Sequence, residues 1–141
     1  MLLLLLLLLL LLLSQLASEL TFISALAAKR IDPDGQDAID RCICQAVTDT
    51  SRLSQHEELN FLPFDPVSKR TEAMVRGPDG VVFKVTKGAP QVILRMSYNV
   101  QQVEEQVTAA VQNLADRGYR SLGVARVSRH LLLLCNVSDY L

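Results

Sequence analysis

Two short stretches of this chain hold the residue types best suited to meeting a ligand. One is Phe61-Leu62-Pro63-Phe64-Asp65-Pro66-Val67-Ser68-Lys69-Arg70-Thr71, and the other is Lys87-Gly88-Ala89-Pro90. No hydrolase nucleophile motif and no Walker-type phosphate loop accompanies them, and the six glycines never form G-x-G-x-x-G. An independent catalytic apparatus is therefore not visible. Cys42, Cys44 and Cys135 form no C-x-x-C pair and have no histidine at ligand spacing, so they read as reduced thiols and no metal site is expected. His56, beside Glu57 and Glu58, reads as a solvated position ahead of a strand.

The elements that must position these stretches follow from periodicity. Leu20 to Lys29 fits a buried helix with Leu20, Ile23, Leu26 and Ala27 on one side. Asp32-Pro33-Asp34-Gly35 is a turn. Ile39, Cys42, Ile43, Ala46 and Val47 then recur on one helical face, with Asp37 and Asp40 at the amino end where the macrodipole favours acids. After a polar loop through Ser54, Leu59 to Phe64 is extended, because Pro63 and Pro66 forbid a helix. Thr71 to Arg76 and Val81 to Thr86 alternate around Gly77-Pro78-Asp79-Gly80 and predict a hairpin.

Pro90 suits a first helical position, so Gln91 to Met96 is expected to be a short helix. Val103, Val107, Ala110, Val111 and Leu114 form a clear helical stripe, ended by Gly118. Ser121 to Val127 is expected to be a strand. Helices and strands are mixed without regular alternation and no repeat appears, which predicts an α+β fold with helices flanking an antiparallel sheet.

A length of 141 residues suits one folding unit, and the net charge of -1 leaves no basic excess for a nucleic-acid backbone. The leucine run from Leu2 to Leu13 is shorter than the roughly 20 residues that span a bilayer as a helix. It lacks preceding basic residues, although Leu16-Ala17-Ser18 resembles a cleavage site. Low-complexity sequence, a signal or anchor, and a packed helix all remain as readings. Three regions result: residues 1–19, a leucine-rich segment; 20–128, the folded domain; and 129–141, an unrelated tail. The tail holds Asn136-Val137-Ser138, a glycosylation sequon that matters only in a secreted chain.

FLPFDPVSKRT followed by KGAP resembles the nucleotide-binding domain of P-type ATPases, and the first stretch is most similar to the plasma-membrane proton pumps. Gln36-Asp37-Ala38-Ile39-Asp40 ahead of these motifs and Arg117 to Arg126 after them extend the resemblance across roughly residues 25–127. The resemblance implies that Phe64 stacks on adenine and that Lys87 lines the adenine pocket, with Gly88 letting backbone approach the ligand. It implies that Lys69 and Arg120 reach the triphosphate, and that Asp40 accepts from the adenine amino group. Asp37 reads as a cap only.

The expected ligand is ATP with Mg2+. The expected partners are the phosphorylation and membrane domains of a pump, at the cytosolic face of the plasma membrane, and no nucleic acid. DKTGT, the acidic magnesium motif and TGES do not occur, so a truncated or incorrectly delimited pump is expected, soluble and cytoplasmic if made as it stands. The parent family is an ATP-driven ion translocase, and a self-sufficient ATPase would need a phosphate acceptor that is not visible. The alternative is a non-catalytic interaction or membrane-associated protein that keeps the domain as a scaffold, with its apolar ends docked to a membrane or partner.

Overall fold

The computed structural model describes residues 2–30 and 35–128. Most of the expected Asp32-Pro33-Asp34-Gly35 turn, Cys135, the sequon and the rest of the tail lie outside the described residues. In chain order the elements are α1 (Leu2–Leu26), α2 (Ala38–Gln45), α3 (Thr50–Ser54), β1 (Glu57–Asp65), β2 (Arg70–Arg76), β3 (Val82–Gly88), α4 (Pro90–Met96), α5 (Val100–Asp116) and β4 (Gly123–Ser128). The four strands form one sheet in the order β1-β2-β3-β4, every pair antiparallel. The α+β class is as expected.

The hairpin follows from its turn residues. Gly77 N–H donates to the Val81 carbonyl and Gly80 N–H to the Gly77 carbonyl, both at 2.9 Å. Gly80 sits at φ 76°, a backbone region that disfavours side chains. From there β2 and β3 pair without a break, from Arg76 opposite Val82 to Arg70 opposite Gly88. Strand alternation places Ala73, Val75, Phe83 and Val85 on one face of the sheet. Against that face α1 lays Phe22 and Leu26, with Ala27 just past its end, and these seven residues form the main core cluster. Helix α1 starts at Leu2 rather than near Leu20. Leu20 is 56% exposed, so the buried arc is centred later than the expected stripe and Phe22 takes the inward place.

Helix α2 shows a similar rotation. Ile39, Cys42 and Ala46 of the expected apolar face are exposed, whereas Asp40 and Val47 are buried. One residue is about 100° of helix, so drawing the Asp40 carboxylate inward turns the expected stripe toward solvent. Asp37 caps this helix, its Oδ1 accepting from Asp40 N–H at 2.8 Å. The polar loop before β1 contains α3, too short to show a period, capped by Asp49.

His56 is half-buried against the core rather than a fully solvated position. Its ring meets Phe22 edge-on at 5.1 Å and Phe83 at 6.1 Å between centroids. Its Nδ1 lies 2.9 Å from the Arg52 carbonyl, which can only accept, so Nδ1 carries the proton. The guanidinium of Arg52 covers Phe22 at 3.8 Å and that of Arg126 covers Phe83 at 4.0 Å. Cation–π contacts thus close the ends of an aromatic row.

On the other side of the sheet, Pro90 opens α4 as expected and Ile93 is buried. A Cβ on Gly123 would lie 2.9 Å from Ile93 Cβ, so glycine there allows α4 to approach β4 closely. In α5, Val103, Val107, Val111 and Leu114 are half-buried and Ala110 is exposed. Gly118 at φ 80° ends that helix. The core predicts its own sensitivity: Leu26, 1% exposed, should lose about 2–5 kcal/mol of stability as Leu26→Ala, read as a lower urea midpoint at unchanged slope.

Candidate functional site

The pairing of β1 with β2 is irregular between Leu62 and Asp65, where Pro63 has no N–H for the ladder. Phe64 follows and is 57% exposed. Asp65 then turns the chain, its Oδ1 accepting from Val67 N–H at 3.1 Å and its Oδ2 from Ser68 N–H at 2.8 Å. These bonds, Ser68 foremost, favour the charged carboxylate and hold Asp65 below the usual carboxylate range. The turn ends at Lys69 with φ 54°, a left-handed value uncommon for a residue bearing a side chain. The Lys69 carbonyl accepts from Ala89 N–H at 3.1 Å, which joins the loop after Phe64 to the KGAP stretch.

Gly88 lies at that junction, opposite Arg70. A Cβ on it would overlap the Lys69 carbonyl and come within 2.8 Å of Arg70 Cβ. Glycine is therefore required here by the packing of the chain on itself.

Lys87 is 5% exposed and Asp40 is 4% exposed. Lys87 Nζ stands 2.5 Å from Asp40 Oδ1, an ionic contact whose angles fall short of a hydrogen bond. The other carboxylate oxygen accepts from the Lys29 backbone N–H at 2.8 Å. Gln36 supports the same corner, its Nε2 donating to the Lys29 carbonyl at 2.5 Å. The segment that follows α1, the start of α2 and the end of β3 thus meet at one buried pair of charges.

Two cavities border this corner. One, of about 440 Å³, is walled by Asp37, Ala38, Ile39, Phe64, Thr71, Lys87, Gly88, Ala89 and Leu122. The other, of about 400 Å³, is walled by Lys29, Gly35, Asp37, Asp40, Phe61, Pro63, Phe64 and Thr71. Phe64, Asp37 and Thr71 belong to both. Each volume falls in the range of roughly 300–1,000 Å³ typical of small-molecule sites.

Of the six residues singled out in the sequence, Phe64, Lys87, Gly88 and Asp40 come together here. The Lys69 side chain is exposed and absent from these walls, although its backbone abuts Gly88 and Ala89. Arg120 is also exposed and absent from them, two residues ahead of Leu122. Asp37, Ile39, Thr71 and Leu122 are walls that residue type alone did not mark. Ile39 reads as a core residue, and only the rotation of α2 turns it to the cavity. Among the described residues no cluster of histidine, cysteine and acids suited to a metal is present.

No family model matches the chain. Individual proteins do. It is 43% identical over 108 residues to "Probable proton ATPase 1A" of Leishmania donovani, a match covering 76% of this chain and 11% of that protein. It is 40% identical over 116 residues to "Plasma membrane ATPase 1" of Schizosaccharomyces pombe, covering 77% and 12%. It is 41% identical over 110 residues to "Probable plasma membrane ATPase" of Dictyostelium discoideum, covering 76% and 10%. The matched stretch is P-type ATPase sequence, in a domain of the nucleotide-binding type of fold. More narrowly, its relatives are plasma-membrane proton ATPases, and the chain spans about a tenth of their length.

The buried pair makes a stability prediction. Asp40→Ala strands an unpaired ammonium and should cost about 3–5 kcal/mol, whereas the double replacement Asp40→Leu/Lys87→Met should recover most of that loss. Urea unfolding of the two variants against wild type measures it.

Proposed function

We propose that the cleft beside Phe64 binds ATP and that this domain supplies the nucleotide-binding function of a P-type proton ATPase. The observation that carries the reading is Phe64: a phenylalanine left 57% exposed, common to two adjoining cavities, with Lys87 and Gly88 across from it. An exposed aromatic in a concavity offers a face for a purine, worth about 1–3 kcal/mol per base in nucleic-acid systems. Homology to proton ATPases supports adenine as the base and a triphosphate as its tail.

In this reading Asp40 acts behind the surface by fixing Lys87 in the wall. Exposed Lys69 and Arg120 lie outside the cavities, as suits cations that meet phosphates projecting from the mouth. Mg2+ arrives with the nucleotide. Within a complete pump the domain would present the γ-phosphate to the aspartate of a neighbouring domain on the cytosolic side of the plasma membrane. DKTGT does not occur in this sequence, so the activity expected of the chain alone is binding.

Lys87→Ala, the obvious probe, would strand Asp40 and confuse unfolding with lost affinity. Phe64→Ala is cleaner because the ring is exposed. Calorimetric titration of Mg-ATP into the full chain, carried to millimolar ligand, should show binding by the wild type and roughly five- to a hundredfold weaker binding by Phe64→Ala. A folded wild-type chain that takes up no ATP would exclude the reading and favour the scaffold alternative.

A further inference from the structure

The two outer strands of the sheet are built differently. β1 is an interrupted edge: its pairing with β2 shifts register twice, Pro63 breaks it, and Glu57 and Glu58 charge its start. Such features discourage a further strand from adding. β4 has none of them. It pairs with β3 without a shift from Phe83 opposite Ser128 to Gly88 opposite Gly123, and it holds no proline, lysine or acid. Its one charge, Arg126, is drawn over the Phe83 ring. Among the described residues no strand lies beyond it. Helices α1 and α4 both pack on β4, yet Val124, Ala125 and Val127 are only half-buried, whereas Val85 of neighbouring β3 is fully buried. β4 thus has the composition of an inner strand in the position of an edge.

Helix α1 continues this open side. At about 100° per residue, Leu16, Leu20 and Ile23 fall within one narrow arc. Phe22 and Leu26 belong to the core beneath the helix, and Ala17 and Thr21 border a hollow shared with Val47, Asp49 and Arg52. The arc of Leu16 is therefore the flank turned away from α2 and α3, on the side of β4. Leu16 is 67% and Leu20 56% exposed. Toward its amino end the same helix is leucine at every position from Leu2 to Leu13, so the stripe runs on unbroken in sequence.

A helix segment that is apolar all round requires cover. Twelve leucines make about 18 Å of helix, short of the roughly 30 Å hydrocarbon core of a bilayer, which would also enclose the unpaired N–H groups of the helix start. Leu131 to Leu134, the apolar run that follows β4, supplies four leucines against twelve. A second copy of the chain supplies a strand edge and an apolar helix of equal length together. We infer that the chain self-associates through the free edge of β4, two copies pairing their β4 strands antiparallel about a two-fold axis perpendicular to the sheet. The same axis sets the Leu16–Leu20–Ile23 stripes of the two α1 helices against each other on one face, a self-complementary contact. A six-residue edge alone falls short of the roughly 1,200 Å² that a stable interface buries, and the 25-residue helix beside it supplies the remainder. This association is independent of the ATP reading.

Sedimentation of the full chain at micromolar concentration should give the mass of two copies. Leu16→Glu/Leu20→Glu, placed at exposed positions so that the urea midpoint is kept, should weaken the pair on the order of tenfold or more, because four carboxylates would enter the contact. Tyr98→Glu, at an 82% exposed position on the connection between α4 and α5, should leave it unchanged. Amide hydrogen exchange of β4 in the wild type should be slowed at high concentration and quicken on dilution. A wild type that sediments as one copy overturns the inference, whether or not it also binds phosphatidylcholine vesicles. So does an assembly that the double variant leaves intact. Exchange of β4 amides that is slow at every concentration overturns it too, because the edge would then be filled within one chain.

Discussion

Burying an ammonium and a carboxylate costs more than their attraction returns unless both are tightly held, and the Asp40–Lys87 pair meets that condition through its surroundings. The second oxygen of Asp40 takes the Lys29 N–H, and the helix start that carries Asp40 is capped by Asp37. Three segments distant in sequence converge on the pair. Its geometry sets how α2 lies against the end of β3. The orientation of α2 in turn exposes Ile39 and Asp37 as walls of the cleft. A hydrophobic contact in the same place would tolerate rotation of the helix, whereas an ion pair with a backbone donor does not.

A second constraint fixes the opposite wall. The Asp65 turn, the left-handed Lys69 and the bond from Ala89 to the Lys69 carbonyl tie the loop after Phe64 to the end of β3. Gly88 makes this approach possible, since any side chain would occupy the space of Arg70 and the Lys69 carbonyl. The motif glycine therefore has a reason to be glycine before any ligand is considered. The two constraints meet at adjacent residues, Lys87 and Gly88, so both walls of the cleft are referenced to one strand end. That is how a small domain keeps an aromatic ring exposed and yet aimed.

The core is remote from this chemistry and supports it from behind. Helix α1 closes one face of the sheet with Phe22 and Leu26, and the segment that follows it delivers Lys29 to Asp40. The row formed by Arg52, Phe22, His56, Phe83 and Arg126 binds α1 to the α3–β1 junction and to β3 and β4. Arg30 adds to this junction by donating to the carbonyls of Leu53 and His56. Helix placement at the core and cleft geometry are thereby linked through the short segment from Leu26 to Arg30.

Local sequence by itself determined the hairpin, the breaks at Pro63 and Pro90, α5 and its glycine stop, and the four-strand α+β class. Each of these is decided by the torsional limits of proline and glycine or by a hydrophobic period within one segment. The family resemblance carried by contiguous motifs pointed to Phe64, Lys87, Gly88 and Asp40, which line the cleft, and also to Lys69 and Arg120, which do not. Tertiary structure alone decided which way α2 faces, that His56 is packed between rings, and that Lys87 and Asp40 neutralise each other. These outcomes depend on partners roughly 30 to 50 residues away or on a charge choosing burial, and no window of neighbouring residues contains that information. Asp37 shows the division most plainly: its identity as a cap is local, and its exposure at the mouth of two cavities is a consequence of everything packed around it.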